Sequence, residues 1–123
     1  GNNFPWGNEI TCQNVNAAGC KSRGYTNATT SVGYYNGENG TIDSPSPYGA
    51  YDMSGNVWEW TGSRYGGKFP SYRVIKGGSY YETKATKSGR NALSSWFRYW
   101  REPSEFTGMF DSSLGFRCVW KAE

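Results

Sequence analysis

This sequence predicts a single irregular, loop-rich domain with a few short strands. Its 123 residues include 17 glycines, which suit tight turns and left-handed backbone. No segment sustains a helical repeat of apolar residues, whereas several short segments alternate as strands do. Only 36% of the residues are hydrophobic, but six Trp, ten Tyr and six Phe are present. These aromatic residues can supply a core, because each one buries roughly 150–250 Å².

The predicted elements follow one another from a polar start. Residues 1–47 are rich in Asn, Gly, Thr and Ser and predict loops, and the Ser-Pro-Ser-Pro run at 44–47 predicts an extended lead-in. Residues 83–95 predict a short helical turn or an irregular segment. Strands are predicted over residues 56–61, over 72–76 with an end at Gly77-Gly78, and over 114–120.

The three cysteines leave two readings open. Cys12 and Cys20 lie close together in sequence and can close a small loop through a disulfide; the alternative is three buried thiols. Cys118 is expected to be a buried thiol in the last strand, on the same face as Phe116. Because no Cys-x-x-Cys spacing occurs, the cysteines give little support to a metal or redox site.

The absence of histidine excludes several kinds of chemistry. With no histidine in the chain, neither a Ser-His nor a Cys-His nucleophile can be built, and histidine-bound iron or zinc is excluded. The net charge of +3 is mild and no dense Lys/Arg run occurs, so no nucleic-acid role is expected. No apolar stretch approaches the roughly 18 residues of a membrane span, and no signal-peptide pattern is present. Membrane insertion is therefore not expected.

The segment from Tyr48 to Trp60 is the most distinctive part of the chain. Its run Tyr-Gly-Ala-Tyr-Asp-Met-Ser-Gly-Asn-Val-Trp-Glu-Trp predicts a tight, glycine-dependent loop that enters a buried strand. Three further segments accompany it in a fixed order: Phe4–Asn8, Arg73–Ser79 and Leu114–Arg117. Together the four segments resemble the C-terminal half of the sulfatase-modifying factor family, which includes the formylglycine-generating enzyme.

The resemblance implies a fold and a domain organisation. It implies an irregular α+β fold of the C-type-lectin-like kind, with small twisted antiparallel sheets and much loop. One such domain is expected over residues 1–123, without the longer N-terminal portion that family members usually carry.

The resemblance also implies that the family's catalytic centre is missing. The family's oxidase depends on two cysteines shortly after the Gly-Gly-Ser motif, and those positions fall on Glu82 and Lys87. A thiolate is needed to hold copper and to exchange with the substrate cysteine, and related members that oxidise sulfur compounds use a histidine-bound iron. We therefore expect no copper, no iron and no enzymatic activity of the family type, and we expect Glu82 and Lys87 to form at most a solvated surface pair.

A calcium site of the family is matched more closely. The resemblance places its ligands at Asp52, Gly55, Val57 and Glu59, where two carboxylates and two backbone carbonyls would form a hard-oxygen set suited to Ca²⁺. The alternative is that Asp52 and Glu59 cap backbone amides of the turn without a metal.

An aromatic segment before the last strand is the expected binding surface. Trp, Tyr and Arg dominate binding hot spots because they supply a large contact area at low rotamer cost. The alternative for each ring is a place in the core. The expected ligand-binding residues are Tyr80, Tyr81, Ser95, Trp96, Phe97, Arg98, Tyr99, Trp100, Phe106 and Phe110.

This combination looks like the variable proteins of diversity-generating retroelements, which display variable residues on a scaffold of this family. The resemblance implies a protein or cell-surface receptor as the partner, and a location on a virion or cell surface. Two other classes stay open: a carbohydrate-binding module, because aromatic rings stack on sugars, and an enzyme of unfamiliar chemistry. Such an enzyme would use the acids Glu102, Glu105 and Asp111.

Overall fold

The computed structural model describes residues 1–20, 27–82, 91–106 and 112–121. In these ranges the regular elements are strands and one short 3-10 helix. They are β1 (Trp58–Gly66), β2 (Phe69–Lys76), β3 (Tyr99–Arg101), a 3-10 helix at Pro103–Phe106, and β4 (Leu114–Gly115). No helix in the described ranges is long and apolar enough to cross a membrane.

The four strands form one sheet in the order β3-β2-β1-β4. Strands β1 and β2 make an antiparallel hairpin in which Gly66 pairs with Phe69. Its turn is possible because Gly66 and Gly67 both have positive φ, 92° and 63°, a conformation that costs glycine little. Strand β3 pairs antiparallel with β2, and β4 pairs parallel with β1 through only two residues.

The observed elements correct part of the predicted fold class. The loop-rich character is confirmed, but the sheet is mixed, not antiparallel, because β4 runs parallel to β1. The described ranges contain no α-helix, so the α part of the expected α+β class finds no support there. Of the segment 83–95, residues 91–95 form turns, and the remainder lies outside the described residues.

The predicted strands differ from the observed ones mainly in length. The first two are longer than predicted, because the hairpin continues through polar residues up to its turn. The third was expected over 114–120 but ends at Gly115. Beyond it, Phe116 is 74% exposed, Trp120 is 90% exposed and Cys118 is an exposed free cysteine. The expectation of a buried thiol at Cys118 is therefore wrong, because no described strand covers this segment.

Two apolar clusters form the core, one under the N-terminal loops and one under the sheet. The first contains Phe4, Val15, Ala17, Cys20 and Leu93. The second contains Trp58, Ile75 and Ala92, with Trp60, Phe97 and Leu114 packed against it. Because Ala92 and Leu93 are consecutive, the segment that carries them joins the two clusters.

A disulfide closes the N-terminal loop. Cys12 and Cys20 are bonded, with their Cα atoms 5.2 Å apart, so the disulfide alternative is the one that the structure supports. Cys20 is 1% exposed and belongs to the first cluster. The bond thus ties a polar, loop-rich segment to the core.

The Tyr48–Trp60 segment forms the predicted tight loop. Four of its residues have positive φ: Gly49, Asp52, Gly55 and Asn56. At Gly55 a Cβ would lie 2.4 Å from Val15 Cγ2 and 2.5 Å from the Asn16 carbonyl oxygen. Glycine is therefore required there both for the backbone conformation and for the close approach of the N-terminal loop.

Candidate functional site

The polar groups of the Tyr48–Trp60 loop are used to hold the fold. Asn56 is buried, and its Oδ1 accepts hydrogen bonds from Thr30 N at 2.9 Å and Asn16 Nδ2 at 3.3 Å. Its backbone N–H donates to Asn16 O at 2.9 Å, and its carbonyl accepts from Tyr80 N at 2.9 Å. Ser54 Oγ donates to Leu93 O at 2.7 Å. Since a buried polar group is costly unless it is paired, this loop connects the N-terminal segment, the sheet and the Leu93 segment.

The expected calcium ligands surround one cavity, but their carboxylates have other partners. A cavity of about 240 Å³ is lined by Asp52, Val57, Glu59 and Arg117, among others. Asp52 Oδ2 accepts a hydrogen bond from Gly33 N at 2.7 Å. Glu59 Oε2 accepts one from Arg117 Nε at 2.7 Å, which is also an ion pair.

With Arg117 paired to Glu59, this arrangement offers a divalent cation only a weak site. Calcium prefers six to eight oxygen ligands, and here a guanidinium already compensates one of the two carboxylates. Gly55 does not line the cavity. In the described ranges no group of three or more Asp, Glu, His or Cys residues could hold a metal ion.

Where the resemblance places the family's catalytic cysteines, this chain has Glu82 and Lys87. Glu82 Oε1 accepts a hydrogen bond from the indole N–H of Trp58 at 3.1 Å. Its carbonyl accepts one from Ala18 N at 2.9 Å. Half-buried Glu82 is thus a partner of the core tryptophan, not a solvated surface charge, and Lys87 lies outside the described residues. No described contact joins Glu102, Glu105 and Asp111, the three acids considered for an enzyme of unfamiliar chemistry. Asp111 and the side chain of Glu105 lie outside the part of the chain that the structure describes.

A surface that we call the aromatic edge lies where β3 borders the sheet. Trp100 stacks on Phe69 with ring centroids 6.1 Å apart and on Tyr99 at 5.8 Å. Tyr72 meets Trp100 edge-on at 4.7 Å, and Tyr65 tilts against it at 6.1 Å. The aromatic edge consists of Tyr65, Phe69, Tyr72, Trp96, Phe97, Tyr99 and Trp100.

Rings of the aromatic edge are only partly covered. Trp96 is 55% exposed, Phe69 46% and Tyr99 36%. Phe97 connects the edge to the core, because it packs against the second cluster and lies 6.3 Å from the Trp58 ring.

Two arginines lie over rings of this edge. Arg101 Cζ is 4.8 Å from the Tyr99 centroid, and Arg98 Cζ is 5.7 Å from the Tyr65 centroid. These distances are those of cation–π contacts. The guanidinium groups are therefore held at the surface of the edge.

The structure brings together most, but not all, of the residues expected to bind a ligand. Tyr80 is 3% exposed and its hydroxyl is hydrogen-bonded to Ser112 Oγ at 2.8 Å, so this residue belongs to the interior and not to the surface. Tyr81, which tilts against Tyr80, is 56% exposed. Phe106 lies in the 3-10 helix, but its side chain is outside the description, as is all of Phe110. Exposed or half-buried positions are found for Ser95, Trp96, Phe97, Arg98, Tyr99 and Trp100.

Three members of the aromatic edge were missed by the sequence reasoning. The β1–β2 hairpin supplies Tyr65, Phe69 and Tyr72. Their rings contact the ring of Trp100, although Trp100 lies far from them in sequence. The signal was present, since aromatic residues flank the Gly66-Gly67 turn and rings on paired strands become neighbours. The pairing of the hairpin with β3 could not be read from the sequence.

Ser95 and Lys76 help to line a second cavity, to which no ring of the aromatic edge contributes. It has a volume of about 320 Å³ and is lined by Pro47, Tyr48, Met53, Lys76 and Ser95, among others. Lys76 Nζ donates to Ser95 O at 2.6 Å. Burial, followed by the charge of Arg98, lowers the pKa of Lys76 below its ordinary value of 10.5. Both burial and the nearby positive charge of Arg98 disfavour the charged form of Lys76.

Known proteins similar to this chain include both active and inactive relatives. A Bos taurus protein named inactive C-alpha-formylglycine-generating enzyme 2 is 30% identical over 122 residues, which cover 94% of this chain and 36% of that protein. The Mus musculus formylglycine-generating enzyme is 32% identical over 134 residues, covering 94% of this chain and 33% of the enzyme. Serine/threonine-protein kinase pkn1 of Chlamydia pneumoniae is 32% identical over 132 residues, covering 94% of this chain and 17% of that protein.

The chain therefore spans about a third of the length of the bovine and mouse relatives. A family profile described as the sulfatase-modifying factor enzyme 1-like domain matches residues 1–122. The matched range includes the Tyr48–Trp60 loop, the hairpin and β4. By this match, the chain belongs to the family of sulfatase-modifying factor enzyme 1-like domains.

Proposed function

We propose that this chain is a non-catalytic binding domain that presents the aromatic edge to a protein or cell-surface receptor. The observation that carries the proposal is the exposure of large rings at one border of the sheet, with Trp96 55% and Phe69 46% exposed. The fold has two cores of its own to bury aromatic side chains. Exposed Trp and Tyr side chains are typical of binding surfaces, where few residues carry most of the affinity.

The loss of the family's catalytic groups supports a non-enzymatic role. Glu82 stands at a catalytic-cysteine position and is hydrogen-bonded to Trp58, and the chain has no histidine to bind iron. The similar bovine protein is named as inactive. A scaffold that keeps its framework and lacks its reactive groups can serve as a platform for recognition.

The proposal is tested with a phage-displayed library of random 12-residue peptides selected on the intact chain. Recovered peptides are measured against Trp96→Ala and Tyr99→Ala. We expect each substitution to weaken binding by about tenfold or more, as at a hot spot. The matched control is Tyr48→Ala, which removes an equally large ring that is 96% exposed elsewhere.

The control should change affinity by less than about twofold. Recovered peptides that bind Trp96→Ala and Tyr99→Ala as well as they bind the unchanged chain would contradict the proposal. Failure to recover any binder would contradict it too.

We further propose that the scaffold is C-type-lectin-like and that the aromatic edge is diversified by a retroelement. Both rest on the resemblance of the Tyr48–Trp60 and Leu114–Arg117 segments and on the aromatic residues between them. The retroelement proposal requires a reverse-transcriptase gene and a near-identical, adenine-rich template copy beside the coding sequence. Adjoining DNA that contains neither would refute it.

Calcium at the Asp52–Glu59 cavity is proposed as a stabilising ligand only. Because Arg117 compensates Glu59, calcium must displace this guanidinium to bind. We expect the melting temperature to rise with calcium chloride relative to EGTA, and to rise more in Arg117→Gln. Equal melting temperatures in calcium and EGTA for both proteins would rule the ion out.

A further inference from the structure

Resting on the proposed function, we infer that the partner of the aromatic edge is an acidic protein segment. Its carboxylates meet a row of arginines that crosses the sheet. The row consists of Arg64 on β1, Arg73 on β2 and Arg101 on β3.

The strand register places these three arginines side by side. Arg64 pairs with Arg73, and Arg73 pairs with Arg101. Directly paired residues on neighbouring strands project from the same face of a sheet. Because strands are spaced by about 5 Å, the row extends over roughly 10 Å.

The arginine row carries positive charge that the described residues do not compensate. Like charges in direct cross-strand pairs destabilise a sheet, so this arrangement costs stability. The ion pair found in the described ranges joins Arg117 and Glu59, and no carboxylate there pairs with the row. Arg73 Nη1 is held by the carbonyls of Pro70 and Ser71 at 3.4 and 3.3 Å, which orient the group and leave its charge in place.

Two local features position charge beside the aromatic edge. The register of β1 shifts on both sides of Arg64, and such bulges re-aim side chains. Arg101 and Arg98 lie over Tyr99 and Tyr65. Because side chains alternate along a strand, the row shares its face with Tyr99, whereas Trp100 projects from the other face. Tyr99 and the guanidinium groups beside it suit a segment that contains both acidic and apolar side chains.

The packing of the rings favours a protein over a nucleic acid or a sugar. Single-stranded nucleic acids stack their bases on free aromatic faces. Trp100 stacks on both Phe69 and Tyr99, and the face of Tyr99 is approached by Arg101 at 4.8 Å. The rings at the centre of the edge thus already contact neighbouring rings and an arginine, which leaves less free ring face for stacking a base or a sugar.

The test uses the peptides selected from the random 12-residue library. We expect them to be enriched in Asp and Glu beside apolar residues. Binding should weaken by about tenfold or more in Arg73→Glu. The introduced glutamate repels the peptide carboxylate that the arginine attracts. Changing one acidic residue of the peptide to Lys should restore binding to Arg73→Glu.

The matched control is Lys121→Glu, which makes the same charge change in the exposed segment that follows β4. It should alter affinity by less than about twofold. A second variant, Arg73→Gln, should weaken binding while the melting temperature stays equal or rises, since it removes like-charge repulsion. A merely structural arginine would instead lower the melting temperature when replaced.

Three outcomes would overturn the inference. They are recovered peptides without acidic enrichment, equal effects of Arg73→Glu and Lys121→Glu, and tighter binding of a 20-residue oligothymidylate or of heparin than of the peptides. If peptide binding depends on Trp96 but not on Arg73, the acidic partner is refuted while the proposed binding function stands. If no peptide binds, both fail.

Discussion

At the scale of single residues, positions that looked reactive serve the fold. Glu82, which the resemblance aligns with a catalytic cysteine of the family, accepts a hydrogen bond from the indole N–H of Trp58. Asn56 has a φ of 66° and bonds to two separate segments through its side chain. Asn tolerates this left-handed conformation better than most residues.

Residue identity predicted some of these roles and missed others. The lack of histidine in the chain and the glutamate at position 82 are visible in the sequence, and they led to the expectation that the family chemistry is missing. The sequence did not predict that Tyr80 is buried and Tyr81 exposed, because the two residues are identical and adjacent. Their separation depends on the turn after Gly78, where the Tyr80 backbone N–H donates to Asn56 O.

A prediction at this scale concerns Lys76. Its pKa is lowered first by burial and then by Arg98, whereas the unfolded chain keeps the ordinary value of 10.5. The unfolded state therefore binds more protons just below that value, and stability rises with pH through this window. Arg98→Gln should raise the pKa of Lys76, as followed by NMR titration of its side chain.

The control for the Lys76 prediction is Arg64→Gln, because Arg64 is not among the causes of the shift. It should leave the titration of Lys76 unchanged. An unchanged pKa in Arg98→Gln would contradict the contribution of Arg98. If the stability of Lys76→Met no longer rises with pH in this window, the rise in the unchanged chain is due to Lys76.

At the scale of elements, the sequence predicted the Tyr48–Trp60 loop better than it predicted the extent of the last strand. The Tyr48–Trp60 loop was predictable because its glycines and Asn demand positive φ, and the loop does adopt it. The strand at 114–120 was overpredicted because alternation indicates a strand only where a partner strand covers it. The described sheet pairs only Leu114 and Gly115 with β1, so pairing decided what pattern could not.

Substituting two glycines of this loop allows the cost of backbone strain to be measured apart from the cost of close packing. Gly55 and Gly49 have nearly equal φ, 76° and 78°, but only Gly55 has atoms within 4 Å of an added Cβ. Gly49→Ala should cost about 1–2 kcal/mol, the penalty of the left-handed conformation. Gly55→Ala should cost about 1–3 kcal/mol more, because the methyl group meets Val15 and the Asn16 carbonyl.

The measurement for the glycine pair is the free energy of unfolding in urea. The second alanine also disturbs the hydrogen bond from Gly55 N to Gly77 O, which is 2.8 Å long, so the difference should exceed the packing cost alone. Equal losses for the two variants would contradict the role of the close approach between this loop and the N-terminal segment.

At the scale of the whole molecule, the framework and the proposed recognition surface involve different residues. The framework consists of the two clusters and the Tyr48–Trp60 loop that connects them. The arginine row runs across β3, β2 and the hairpin end of β1, away from Trp58 and Glu59, the β1 residues that pair with β4. The family could be predicted from the framework motifs, whereas the arginine row depends on strand register, which the sequence pattern left open.

The separation is tested most directly by the melting temperature of the double variant Phe69→Ala, Trp96→Ala. Both side chains belong to the aromatic edge and are partly exposed, at 46% and 55%, so we expect a shift of only a few degrees. The reference is Leu93→Ala, which removes a side chain that is 0% exposed. That variant should lose about 2–5 kcal/mol and melt roughly 10 °C lower or more. A double variant that melts as low as Leu93→Ala would show that these rings belong to the core, and would contradict the account.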